Sequence, residues 1–310
     1  MESITLEQIE GQAATAPAVE FRAAATSRER ASAYLELTKP RITTLVLLTT
    51  AAGFSLGSQG AFQFLLFAHT VVGVALLCSG VSALNEWMER DLDALMRRTA
   101  SRPLPTGRLS SREAFIFGVA LTVAGEAYLA ALVNPLSALC GLGVVVGYLF
   151  LYTPLKTRTS LSTAVGAFPG AVPPLLGWAA ASNTLGLEAW ALFAILFLWQ
   201  FPHFFAIAWM YREDYARAGI LMLPVVEPDG RLTKQQIVVW TLMLVPVSLA
   251  PVALGVSGSV YFAGALLLGA LFLATCVAAA LTLSRRNARR VLLASVLYLP
   301  LLFGLMVMKI

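Results

Sequence analysis

Charge is scarce in this chain. Only 13% of its 310 residues are Asp, Glu, Lys or Arg, about half the roughly 25% of a soluble domain. Cysteine is scarcer still. Cys78, Cys140 and Cys276 lie scattered in apolar stretches; no pair has metal-ligand spacing, and no disulfide is expected. Alternating ten-residue strands are missing, which excludes a membrane β-barrel. Disordered, disulfide-scaffold and nucleic-acid-binding classes all fit badly. What is abundant is apolar: 58% of residues, with a mean hydropathy of +0.76. A soluble protein could not hide that much apolar surface inside itself. The composition leaves a polytopic membrane protein.

The apolar residues come in long blocks. No Asp, Glu, Lys or Arg occurs in 42–85, 237–284 or 291–308; 114–155 holds only Glu126 and 159–211 only Glu188 before Arg212. A membrane helix needs about 20 apolar residues. The four longer blocks hold two spans each and the last holds one, which gives nine helices and an all-α chain. Turn residues divide the double blocks at Gly57-Ser58-Gln59-Gly60, Asn134-Pro135, Ser182-Asn183-Thr184 and Gly255-Val256-Ser257-Gly258.

Basic residues fix the expected orientation. Twenty-one of the 22 lie before the first span or in the loops after even-numbered spans; Lys309 is the exception. By the positive-inside rule those segments and the N-terminus are cytoplasmic, or matrix-side in a mitochondrion, and nine helices leave the C-terminus on the opposite side. Met1 to Ser27 is rich in Ala, Glu, Gln and Thr. It lacks the charged start and apolar core of a signal peptide. Residues 1–30 are expected to be a disordered cytoplasmic tail, with the nine-helix domain over 31–310.

Three polar clusters stand at the cytoplasmic ends of the spans. In the first, Asn85, Glu89 and Asp93 are spaced i, i+4, i+8, so on a helix they fall within about 80° of arc. Mg²⁺ prefers such hard oxygen ligands, one or two carboxylates completed by substrate phosphate and water. Zn²⁺ would want His or Cys, and neither is near. Arg97, Arg98 and Arg102 follow at once, and the planar guanidinium suits phosphate oxygens. The plainer alternative is a helix end with solvated charges and a basic topology loop. Carboxylates gathered on one face at membrane depth favour a metal-plus-phosphate site.

The second cluster, after the fourth span, holds Tyr152, Pro154, Lys156 and Arg158, against the alternative of an ordinary short loop. The fifth span carries Pro169, Pro173 and Pro174. They are expected to unwind or kink it, which suits a pocket wall as well as a purely structural bend. In the third cluster Gln200, His203, Ile207, Met210 and Asp214 share a helical face, so a His within the bilayer looks down the wall that carries an Asp at the surface. His203 is then a substrate contact, or simply a histidine bonded to a neighbouring helix.

These clusters, in this order, resemble the UbiA-type intramembrane prenyltransferases. The likeness runs from about residue 35 to residue 300. It is carried by Leu37-Thr38-Lys39-Pro40-Arg41, Asn85 to Asp93 with Met96-Arg97-Arg98-Thr99 and Arg102-Pro103-Leu104, Gly166 to Pro174, Trp199-Gln200-Phe201-Pro202-His203-Phe204, and Asp214-Tyr215 with Ala218-Gly219. Within that superfamily it is similar to the branch that farnesylates haem B. The resemblance implies nine helices around a lipid-accessible cavity with the active site on the cytoplasmic side. It implies a Mg²⁺-dependent transfer of the farnesyl group of farnesyl diphosphate to a haem B vinyl group, giving haem O for a terminal oxidase. Asn85, Glu89 and Asp93 would hold the metal and, with Asp214, carry catalysis. Lys39, Arg97, Arg98, Arg102, Tyr152, Lys156, Arg158, Gln200 and His203 would bind substrate. The setting would be the bacterial inner membrane, or the mitochondrial one in a eukaryote, with haem A synthase or oxidase assembly proteins as partners and no nucleic acid. Glu89 stands where the superfamily usually has Asp. The second acidic motif is reduced, since Asp214 has Glu213 beside it but no acid four residues on.

Three rivals remain on sequence grounds. One is a prenyltransferase of the same fold acting on a quinone precursor or chlorophyllide. Another is a secondary transporter, which would show internal repeats and a midplane site; no repeat is evident and the acids lie at the cytoplasmic end. The third is an oxidase assembly factor, which would have no use for a carboxylate–arginine site.

Overall fold

The computed structural model describes residues 26–58 and 60–308; the rest of the expected tail, 1–25, lies outside them. Helix α1 (Ser27–Leu37) begins inside the segment expected to be a tail. A capping box stops it fraying: the Thr26 hydroxyl accepts from the Glu29 amide while Glu29 reaches back to Thr26. Arg30 pairs with Glu113 and Glu36 with Arg108, and Ala33 and Leu37 pack on Ala83, Leu109 and Ala114. Folded structure therefore starts earlier than residue 31.

Among the described residues, nine further long helices fall on the nine expected spans. They are α2 (Pro40–Gly57), α3 (Phe64–Leu95), α4 (Ser111–Leu132), α5 (Pro135–Leu155), α6 (Ser162–Ser182), α7 (Leu187–Met210), then, after short helices α8 (Arg212–Arg217) and α9 (Leu223–Val226), α10 (Arg231–Ala253), α11 (Ser259–Leu281) and α12 (Arg285–Val307). Eight are long and apolar enough to cross a membrane. The ninth, α2, has 18 residues and is diluted by Arg41 and four threonines. Its threonine hydroxyls bond backward to carbonyls of its own chain, as Thr49 to Val46 and Thr50 to Val46, which spares the bilayer unpaired polar groups. The chain is a multi-pass membrane protein.

Helices α6 and α7 are the central ones, with 72% and 67% of their apolar windows buried. Prolines do not unwind either. Helix α6 runs unbroken through Pro169, Pro173 and Pro174, and α7 through Pro202; the two helices are packed together and joined by the Gln200 amide, which donates to the Ala167 carbonyl at 2.9 Å. Helix α5 does change its winding, to a π-turn over Val146–Tyr152, just before Pro154. Pro154 cannot donate to a carbonyl one turn back, and the wider turn absorbs the loss. Thr153 bonds Tyr148 through both its amide and its hydroxyl.

Close approach of α2 to α6 depends on glycine. A Cβ at Gly53 would lie 2.0 Å from the Pro174 carbonyl oxygen, and one at Gly177 the same distance from that of Thr50. Both contacts are backbone and cannot turn aside. Gly53→Ala is expected to push the two helices apart and to lower the thermal midpoint in detergent by several degrees, in line with ~1–3 kcal/mol for overpacking. An unchanged melting curve would show that the helices slide at no cost.

Candidate active site

The C-terminal end of α3 carries the acids. Helical winding continues to Leu95, so Asn85, Glu89 and Asp93 do share a face, and all three are buried. Asp91 points away, its side chain 85% exposed. Glu86 belongs to the cluster too, at only 2% exposure. It lies about 100° round from Asn85, a little beyond the arc that ends at Asp93.

Each acid faces a cation from a different element. Lys39 donates from Nζ to Asn85 Oδ1 at 2.9 Å and approaches Glu86 at 3.9 Å. Arg102 donates to Asp93 Oδ2 at 2.7 Å and lies 3.6 Å from Glu86. Lys156 pairs with Glu89 at 2.5 Å and sits 4.4 Å above the Tyr152 ring. The Asn85 amide donates to Thr153 Oγ1 at 3.2 Å, which ties the cluster to the π-turn; such turns are frequent at functional sites. Lys39 occupies the left-handed region at φ 47°, uncommon for a residue with a Cβ. That turn joins α1 to α2 and aims the ammonium at α3, strain of the kind functional sites retain.

The electrostatics follow from burial and from these pairs. Burial pushes the Lys39 ammonium down to about 8, and Arg102 adds to the effect. Burial also works against the charges on Lys156 and Arg102. Tyr152 and Glu89 outweigh it for Lys156, and Asp93 and Glu86 for Arg102, so both are held above their ordinary values. Three carboxylates against three cations leave the cluster neutral by itself.

The residues fit a metal in a particular way. Glu86 Oε2 and Asp93 Oδ1 are buried without a hydrogen-bond partner, a costly state that a cation would relieve. Yet no three His, Cys, Asp or Glu among the described residues form a metal cage. The arrangement suits a cation that takes one or two carboxylates and completes its shell with phosphate oxygens and water, as Mg²⁺ does.

Below the cluster lies an apolar cavity of about 430 Å³ between α2, α3, α5, α6 and α7, within the range typical of small-molecule sites. Lys39 and Tyr152 mark its charged end. Pro169, Gly170 and Pro173 form one wall, as their sequence suggested, and Trp199, Gln200, His203, Phe204 and Ile207 another. Gln200 spends its amide on the Ala167 and Leu196 carbonyls. The shared face of α7 stops short of Asp214: the helix ends at Met210, Tyr211 departs from helical geometry, and α8 starts afresh. Asp214 is buried, pairs with Arg217 and does not border the cavity. Arg98 leaves the acids as well; it bonds the Tyr215 hydroxyl at 2.8 Å and stacks over the Tyr211 and Tyr215 rings. Arg97 and Arg158 are exposed and lie outside the paired cluster. Residues the sequence reading missed are Glu86, Thr153, Tyr148 and Ser295. Of these only Glu86 carried a signal, its position just past the edge of the acidic face.

Acids at the end of α3 and cations from the turn before α2, the loop after α3 and the end of α5 stand above an apolar cavity, an arrangement that suits an apolar molecule with an anionic head. Residues 46–307 match the UbiA prenyltransferase family, and the chain belongs to it. Among curated proteins it is similar to the protoheme IX farnesyltransferase of Solibacter usitatus, 55% identical over 89% of this chain and 97% of that one. It is also similar to that of Koribacter versatilis, 48% identical over 89% and 92%. Among solved structures, the fold matches digeranylgeranylglyceryl phosphate synthase with a TM-score of 0.76 at 16% identity, over 91% of this chain and 98% of that one. It also matches a UbiA homologue of Archaeoglobus fulgidus bound to GPP and Mg²⁺, with a TM-score of 0.62 at 19% identity, over 88% and 99%.

Proposed function

We infer that this chain transfers the farnesyl group of farnesyl diphosphate to a vinyl group of haem B, forming haem O. The observation that carries the reading is the join between the two halves of the site. Lys39 and Tyr152 line the apolar cavity and also touch the partners of the acid cluster, so a prenyl chain in the cavity places its diphosphate among the cations. Likeness to the farnesyltransferases above selects haem B as the acceptor.

Asn85, Glu86, Glu89 and Asp93 are the residues that would hold Mg²⁺. When bound, the metal supplies charge neutralisation for the diphosphate. Arg102, Lys156 and Lys39 stabilise the negative charge that grows on the leaving diphosphate as the allylic C–O bond breaks. Tyr148, Tyr152, Trp199 and Phe204 line the cavity and shield the allylic cation with their ring faces, while the apolar walls keep water from it. The terminal vinyl carbon of haem then forms the new C–C bond. Positive charge passes to the carbon beside the pyrrole, water adds there, and its proton leaves to the released diphosphate. The product carries a hydroxyethylfarnesyl group. The acid cluster faces the cytoplasm of a bacterial inner membrane, the side marked by the basic loops.

Acceptor choice tests the reading. With farnesyl diphosphate and Mg²⁺, purified protein offered haem B, a quinone precursor and chlorophyllide together is expected to consume haem B alone. Chelation with EDTA is expected to stop turnover, and added Mg²⁺ to restore it. Prenylation of the quinone precursor instead would move the chain to the rival acceptor class, and turnover that ignores EDTA would remove the metal.

A further inference from the structure

His203 borders the cavity, but what fixes its ring lies outside the cavity, on α12. His203 Nδ1 is 2.8 Å from the Ser295 hydroxyl. That hydroxyl already donates its only proton to the Leu292 carbonyl at 2.7 Å. With that proton on the Leu292 carbonyl, the hydroxyl accepts from the imidazole; in the neutral ring, the form favoured between apolar walls, this puts the proton on Nδ1 and leaves Nε2 a free lone pair. Trp199 completes the clamp: its indole N–H donates to the Ser295 carbonyl at 2.8 Å, and its ring stacks on His203 with centroids 4.7 Å apart. Ser295 is fully buried. Two cavity side chains are thus tied to one residue of a helix whose own side chains stay out of that cavity lining.

A neutral imidazole with Nδ1–H bound to an oxygen acceptor and Nε2 free is the arrangement found where histidine ligates a metal. Such a ring cannot donate from Nε2 to a propionate. We propose that His203 Nε2 ligates the iron of the haem substrate, and that Ser295 is the positioning residue that sets its tautomer and orientation. The proposal rests on the reading of haem B as the acceptor. Ligation would hold the porphyrin in one register against the farnesyl site, so that a vinyl group rather than another edge meets the allylic carbon.

The test compares haem B with metal-free protoporphyrin IX, bound to the full chain in detergent and followed by absorption and resonance Raman spectra. Wild type is expected to show an imidazole-ligated iron. His203→Ala is expected to lose that signature and to regain it when free imidazole is added. Ser295→Ala is expected to weaken haem B binding about 10-fold or more, the cost of removing an outer hydrogen bond to a ligating histidine, and to leave protoporphyrin IX binding as in wild type. Ser295→Thr, which keeps the hydroxyl, is expected to restore haem affinity. Equal weakening of both porphyrins would reduce Ser295 to a packing role and overturn the proposal, as would an unaltered ligation spectrum in His203→Ala. A wild-type chain that farnesylates haem B with no imidazole ligation would overturn the ligand role alone. A chain that binds no haem would overturn both this proposal and the acceptor assignment.

Discussion

Asp93→Asn should leave a folded protein that makes almost no product. The side chain is 1% exposed; one oxygen receives Arg102 and the other has no partner. Asparagine keeps the shape and an oxygen for Arg102, but it lacks the charge that a divalent cation needs. Losing a ligand should exceed the 10–100-fold loss typical of outer-shell partners, so a fall of more than about 10²-fold in kcat is expected, with a thermal midpoint near that of wild type. Steady-state rates and melting curves on the same preparation check both halves. Activity within a few-fold of wild type would rule out the metal role of Asp93.

The second large effect concerns Lys156 and Glu89. They form a 2.5 Å ion pair whose side chains are 13% and 8% exposed. Lys156→Met leaves a carboxylate buried without its counterion. Breaking such a pair typically costs about 3–5 kcal/mol, so this variant should be both inactive and markedly unstable. Glu89→Gln with Lys156→Met removes the orphaned charge and should recover most of the stability, while activity stays lost because the diphosphate has no Lys156 and the cation no Glu89. The coupling energy from the double-mutant cycle separates the two effects. A double variant that regains turnover would show that the pair only holds the fold together.

Much of the architecture is written in the sequence at coarse grain. Charge-free blocks and turn residues mark the spans because a bilayer demands about 20 apolar residues per helix. The same physics hides details. Thr26 to Arg30 look like tail by composition, yet a capping box and an ion pair from Arg30 across to Glu113 order them as the start of α1, which Glu36 also ties to Arg108. Prolines read as breaks because sequence shows the missing N–H but not the neighbours packed around the helix. The pairing of Asn85, Glu89 and Asp93 on one face follows from helical periodicity alone. Their cations do not: Lys39, Arg102 and Lys156 converge only through a left-handed turn, a loop and a π-turn, which are tertiary facts. Asp214 shows the reverse error, a periodicity extended past a helix end that a single non-helical residue, Tyr211, interrupts.

Transfer of a farnesyl group onto haem by the acid–cation cluster above the apolar cavity shows in the mass of the haem recovered after purified protein is incubated with haem B, farnesyl diphosphate and Mg²⁺. The account predicts a haem heavier by one farnesyl group and one hydroxyl, formed by wild type and absent with Asp93→Asn. Haem B recovered unaltered by wild type, under conditions where a related farnesyltransferase converts it, would contradict the account.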